Sequence, residues 1–137
     1  MVAVMNMLLD TNIWLELLLD QQRAGEVQSF LQHSNTADLA MTDFTLYSIG
    51  IILTRHHKHD VFTDFIADTL ENAAIQLITL NVDEMRQLVK YQQKLRLDFD
   101  DAYQYTAAVT HNCTLVSFDT DFDHTPLRRY TPAELDS

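Results

Sequence analysis

Residues 2–18 read VAVMNMLLDTNIWLELL. The first part, VAVMNMLL over 2–9, is an apolar run of the length of a short buried strand. Asp10 ends it. Thr11, Asn12, Ile13, Trp14 and Leu15 then open a helix, with Asn12 or Thr11 as the expected N-cap. An apolar strand that passes through a single acid into a helix is the opening of a β-to-α unit, and the chain repeats that unit.

A second helix is expected at about 23–33 and a second strand at 38–41 (DLAM). Asp43 or Thr42 then caps a helix with Leu46, Ile49, Gly50 and Leu53 at i, i+3, i+4 and i+7. Val61, Phe62, Phe65, Ile66, Thr69 and Leu70 predict one helix near 59–72, and IQLITL at 75–80 a third strand. Asn81 and Glu84 form a capping box before Met85, Leu88, Val89 and Leu95. Asp98, Asp100 and Asp101 precede a helix whose inner side carries Ala102, Tyr105, Thr106 and Val109. TLVS at 114–117 reads as a fourth strand, and the tail from Asp121 as mostly irregular, with one short strand before Pro132. Apolar strands alternating with amphipathic helices predict an α/β fold around a central, mostly parallel sheet of four to five short strands.

Composition agrees with one domain over residues 1–137, 47% hydrophobic and 21% charged. Two glycines and two prolines are too few for the turns of a β-sandwich, and a glycine-rich phosphate loop is excluded. Cys113 is the one cysteine, so no internal disulfide or thiolate zinc site is expected. Met1 to Leu9 is apolar but lacks Lys and Arg, which does not fit a signal peptide, and no apolar run reaches membrane-spanning length. A reducing cytoplasm is the expected location, with no membrane contact.

Nine Lys and Arg against twenty Asp and Glu leave a formal charge of −11. Such a chain repels a phosphate backbone at long range, so nucleic acid would need a mediating metal or a local basic patch. The acids fall where a metal is useful. In open parallel sheets, ligands bind beyond the carboxyl ends of the strands. Asp10 follows the first strand and Asp119 the fourth, with Asp121 two residues on. The helix feeding the fourth strand runs antiparallel to it, which brings its N-terminal Asp101 to the same rim. Converging carboxylates without basic partners repel one another unless a cation intervenes. For clustered oxygen ligands that cation is Mg²⁺ or Mn²⁺.

Asp10-Thr11-Asn12 after a strand, Asp101-Ala102 at a helix start, and Ser117-Phe118-Asp119-Thr120-Asp121-Phe122 resemble, in order and spacing, the three acidic motifs of PIN domains. The resemblance covers nearly the whole chain. It implies a three-layer α/β/α fold and a metal-dependent endoribonuclease acting on RNA. It further implies a homodimer and the toxin of a toxin–antitoxin pair, with an antitoxin protein as partner. Carried over, Asp10, Asp101 and Asp119 are metal ligands, Asp121 an outer or alternate ligand, and Asn12 and Ser117 orient ligands or water.

One position departs from the family. The glutamate expected on the helix after the second strand falls at Ser48, which brings no charge. Asp43 lies about 140° away around that helix and Glu16 sits on another. The alternative function is therefore a degenerate PIN domain that binds a partner protein or RNA without cutting it. An aspartate-nucleophile phosphatase is a third class, disfavoured because Asn12 and Trp14 stand where its second Asp and its Thr or Val belong.

Other candidates have plainer explanations. Asp98, Asp100 and Asp101 suit the first turn of a helix. His56, His57 and His59 sit at a helix end without i, i+4 spacing. Cys113 precedes a buried strand and reads as a core thiol. Trp14, Phe62 and Phe65 have core spacing; so do Tyr91, Tyr103 and Tyr105, although a tyrosine near Asp101 could stack on a base. Arg55, Lys58, Arg128 and Arg129 are the basic clusters available for RNA backbone contacts.

Overall fold

The computed structural model describes residues 6–136. Twelve elements carry the argument: β1 (Met7–Leu9), α1 (Thr11–Leu18), α2 (Ala24–His33), β2 (Leu39–Thr42), α3 (Asp43–Arg55), α4 (His59–Ile66), β3 (Gln76–Ile78), α5 (Val82–Leu95), α6 (Phe99–Thr110), β4 (Thr114–Val116), β5 (Arg129–Tyr130) and α7 (Pro132–Leu135). The strands form one sheet in the order β3-β2-β1-β4-β5, and every pairing is parallel. Residues 2–5 of the expected first strand lie outside the described residues.

The period-2 alternation of strand side chains divides the interior into two cores. Leu8, Ala40, Ile78 and Leu115 face Leu88 of α5 and Ala102 and Tyr105 of α6. Leu9, Leu39, Met41 and Val116 face Ile13 and Trp14 of α1, Phe30 of α2, Ile49 and Leu53 of α3, and Phe65 of α4. The result is the expected three-layer α/β/α arrangement. Among the described residues no helix is long and apolar enough to cross a membrane.

Gly50 permits the close packing of α3 on α4. A Cβ there would lie 2.8 Å from Cζ of Phe62. The glycine serves proximity, since its backbone is ordinary helix.

Several expectations are corrected in detail. The N-cap of α1 is Asp10 itself, extended at φ −65° and ψ 159°, with Oδ1 accepting from the Thr11 N–H at 2.8 Å. Of the two caps expected for α3, Thr42 is the one, its hydroxyl accepting from the Thr45 N–H at 3.0 Å. The helix expected over 59–72 keeps its span but changes winding: Ala67–Asn72 is π-helical, and the Ala73 N–H reaches back to the Asp68 carbonyl. The tail is more ordered than expected. Besides the expected short strand, β5, it holds a 3₁₀ turn at Thr120–His124 and α7 with a Thr131–Glu134 capping box. α7 is held from outside. Glu26 accepts from the Ala133 N–H at 3.0 Å, and Asp136 accepts from the Ser29 hydroxyl at 2.6 Å and meets His33 at 2.7 Å.

Candidate active site

β1 leads to β2 on one side of the sheet and β4 to β5 on the other, although β1 and β4 are paired neighbours. Loops that part in this way leave a crevice beyond the carboxyl ends of the two strands. Asp10 and Asn12 enter it from the end of β1, Ser117 and Asp119 from the end of β4, and Asp101 from the first turn of α6.

Ser117 is the hinge of the arrangement. Its hydroxyl donates to Asp10 Oδ2 at 2.7 Å and accepts from the Asp119 N–H at 2.9 Å. The Asn12 amide donates to Asp10 Oδ2 and to Ser117 Oγ, both at 3.3 Å. Asn12 Oδ1 accepts from the Phe118 N–H at 3.2 Å, so the side chain ties the two strand ends together. Asp119 Oδ1 accepts from the Asp121 N–H at 2.9 Å, which folds the closing motif back towards the rim. Asp10, Asp101 and Asp119 line a cleft of about 360 Å³, with Asn12, Ser48 and Asp100 among its other walls.

The carboxylates are held against their own repulsion. Burial pushes Asp10 up to about 6; the charges of Asp119 and Asp100 push the same way, while hydrogen bonds from Ser117 and Thr11 oppose it. Asp101 is pushed up to about 8, first by burial, then by the Asp119 charge and a hydrogen bond to Asp119, with Asp10 and Asp121 adding to it. One carboxylate oxygen each from Asp101, Asp119 and Asp121 lies within 4.8 Å of the others. Hard oxygen donors gathered in this way suit Mg²⁺ or Mn²⁺. Asp121, expected as an outer or alternate ligand, belongs to this compact triplet. Asp10 is bound to Ser117 at its edge.

Ser48 lines the cleft, but α3 presents no acid there; its other cleft residues are Phe44, Ile51 and Ile52. The two substitutes considered for the missing glutamate are engaged elsewhere. Glu16 accepts from the Arg23 N–H at 2.6 Å, and Asp43 accepts from the Tyr103 hydroxyl at 2.6 Å. Tyr103 and Tyr105 are buried, so neither offers a face to a base. Arg129 grips Asp123 through two 2.9 Å bonds and donates to the Ser117 carbonyl at 3.1 Å, which makes it a strut for the β4 loop. Arg128 remains exposed, 3.7 Å from Glu134.

The sequence reading missed a neutral network beneath the acids. Buried Gln104 donates to Thr45 Oγ1 at 2.6 Å and to Thr11 Oγ1 at 3.4 Å, and accepts from the Thr42 hydroxyl at 3.3 Å. Thr11 and Thr45 meet at 2.9 Å. Its one mark in the sequence is a place three residues after Asp101, one helical turn along the same face, which a neutral side chain does not make telling.

The profile of the PIN domain matches residues 7–127. No curated protein gives a match to the sequence. Among solved structures, a toxin–antitoxin complex from Klebsiella pneumoniae is similar at TM-score 0.73 and 23% identity, over 93% of this chain and 98% of that one. VapC20 of Mycobacterium tuberculosis, a sarcin-ricin-loop-cleaving toxin, is similar at TM-score 0.76 and 16% identity, over 90% and 97%. VapBC2 of Rickettsia felis, bound to a DNA fragment from its promoter, is similar at 0.77 and 16%, over 93% and 98%. The family match, together with the three acidic motifs meeting at one sheet edge, establishes that this chain belongs to the PIN domain family.

Proposed function

We propose that the protein is a divalent-metal-dependent endoribonuclease that hydrolyses RNA phosphodiesters, and the toxin of a toxin–antitoxin pair. The observation that carries this reading is the convergence of Asp10, Asp101, Asp119 and Asp121 with no basic side chain lining their cleft. The similarity to structures of toxins and toxin–antitoxin complexes supports the second half. A homodimer in a reducing cytoplasm, neutralised by an antitoxin that covers the cleft, completes the proposal.

The residues divide the work. Asp10, Asp101, Asp119 and Asp121 hold the cation. Ser117 and Asn12 fix the Asp10 carboxylate, which would otherwise rotate away from a cluster that repels it. A bound cation would favour the ionised form of Asp101, offsetting the burial and the neighbouring acid charges that raise its carboxyl. A bound Mg²⁺ or Mn²⁺ would supply positive charge to the scissile phosphate and acidify the attacking water. Water adds to phosphorus, one ester P–O bond breaks, and the departing oxygen takes up a proton.

Calorimetric titration of Mn²⁺ into the wild type and Asp101→Asn tests the metal, and cleavage of structured RNAs tests the reaction. Binding by the wild type that the variant loses is the expected result. Full cleavage by both Asp10→Asn and Asp101→Asn would overturn the reading.

Ser48 favours a second reading, in which the domain binds a partner protein or RNA without cutting. A wild type that is inactive and gains metal-dependent cleavage through Ser48→Glu would support it. Cleavage by the unsubstituted protein would defeat it.

A further inference from the structure

We propose that the apolar wall that α3 gives the cleft seats an unpaired RNA base beside the scissile phosphate, so that the substrate is a single-stranded or looped-out nucleotide. This inference rests on the nuclease reading above. Phe44, Ser48, Ile51 and Ile52 stand at i, i+4, i+7 and i+8 of α3 and line the same cleft as the acids. Leu15 of α1 lines it as well. The plainer role for such residues is core packing. It holds for Leu15 and Phe44, which pack against the two cores, and Phe44 stacks on Tyr103 with ring centres 5.4 Å apart. Ile51 and Ile52 pack against neither core, and Ile51 is 51% exposed. Two isoleucines on the wall of an acidic cleft therefore have no partner within the fold.

The cleft selects its occupant by size and by division of charge. Its volume of about 360 Å³ lies at the small end of cavities that take small molecules, the scale of one nucleotide. Its acids and its apolar wall match the two halves of that unit. The phosphate is drawn to a cation held by the acids, and the base offers a flat apolar face to the wall. Ser48, in the middle of the stripe, keeps the wall free of a charge that would repel the phosphate. In a duplex the face of a base is covered by its neighbours in the stack, so an unpaired base is the one that can present it. A second copy of the chain would instead bring a further charge of −11 against the acidic rim.

The test is calorimetry on the full chain in Mn²⁺ with adenosine and uridine 5′-monophosphates and with ribose 5-phosphate, which carries the phosphate without a base. The wild type is expected to bind both nucleotides on the order of tenfold more tightly than ribose 5-phosphate. Ile51→Ala, and Phe44→Leu, which keeps apolar bulk against Tyr103, are expected to lose about 3- to 10-fold in nucleotide affinity. Both should bind Mn²⁺ and ribose 5-phosphate as the wild type does. Tyr47→Ala is expected to change nothing, because Tyr47 is exposed on α3 but does not line the cleft. Equal wild-type affinity for the three ligands, an equal loss for ribose 5-phosphate in the variants, or the same loss from Tyr47→Ala would each overturn this inference and leave the nuclease reading intact. So would an assembly, seen by sedimentation, that Ile51→Ala breaks and that shows no base preference, since a second copy would then cover the wall. A wild type that binds no Mn²⁺ would overturn both.

Discussion

Ser117 holds the two strand ends of the site in register through one hydroxyl, which donates to Asp10 and accepts from the Asp119 N–H. It is fully buried, so nothing replaces those bonds when they are lost. Ser117→Ala is expected to cost about 1–3 kcal/mol in urea unfolding, and to weaken Mn²⁺ binding on the order of 10- to 100-fold. A variant that loses stability but keeps its metal affinity would show that the hydroxyl braces the loop without orienting Asp10. Asp101 gives a second prediction, in pH. Its carboxyl is raised to about 8 and that of Asp10 to about 6, so the metal-free folded state binds more protons than the unfolded state from about pH 4 upward. Stability must therefore fall as pH rises through that range, with the full penalty present above about 8. Thermal unfolding in chelator is expected to show this decline, and Asp101→Asn to flatten its upper part. Saturating Mn²⁺ should remove it in the wild type alone. At this scale the charged residues were legible in the sequence, because strand ends and a helix start bring Asp10, Asp101 and Asp119 together whatever their side chains do. Gln104 was not. A neutral amide on an inward helix face shows its purpose only once Thr11, Thr42 and Thr45 are seen around it.

Among the elements, α3 packs closely on α4: a Cβ on Gly50 would stand 2.8 Å from the Phe62 ring. Gly50→Ala adds a methyl group to a filled space and is expected to cost about 1–3 kcal/mol in denaturant unfolding, despite alanine's better helix propensity. Phe62→Leu in the same chain should return part of that loss. Additive effects of the two changes would mean that the ring does not set the spacing. The elements themselves were largely readable, since each rests on local signals: apolar strand runs, the Asn81–Glu84 capping box, and acids before α6. The misses have tertiary causes. α7 is four residues long, too short to hold its own helix, and exists because Glu26, Ser29 and His33 catch it. The π-helical winding after α4 leaves the 59–72 pattern of apolar residues intact, so periodicity could not separate it from an ordinary helix. At the N-terminus of α1, Asp10, Thr11 and Asn12 are all good capping residues, and only the backbone at Asp10 shows which one caps.

At the scale of the whole molecule, charge and chemistry pull in opposite directions. A net charge of −11 repels RNA, and much of the positive charge is already engaged: Arg23, Arg86, Arg128 and Arg129 all stand in ion pairs with acids of this chain. The cleft itself is lined by carboxylates, so phosphate cannot approach it until a divalent cation reverses the local sign. Recognition through one such cation releases few counterions. Binding through a basic surface with six to ten phosphate contacts loses roughly 10³–10⁵ in affinity between 50 and 200 mM salt. Here the loss over the same interval is expected to stay within about tenfold, as for one or two contacts. Fluorescence anisotropy with a structured RNA, read before cleavage sets in, measures it, titrated in Mn²⁺ and again in chelator. Binding should require Mn²⁺ and respond weakly to salt. A steep salt dependence that persists in chelator would place the RNA on a basic surface away from the cleft, with Arg55 and Lys58 the first positions to substitute.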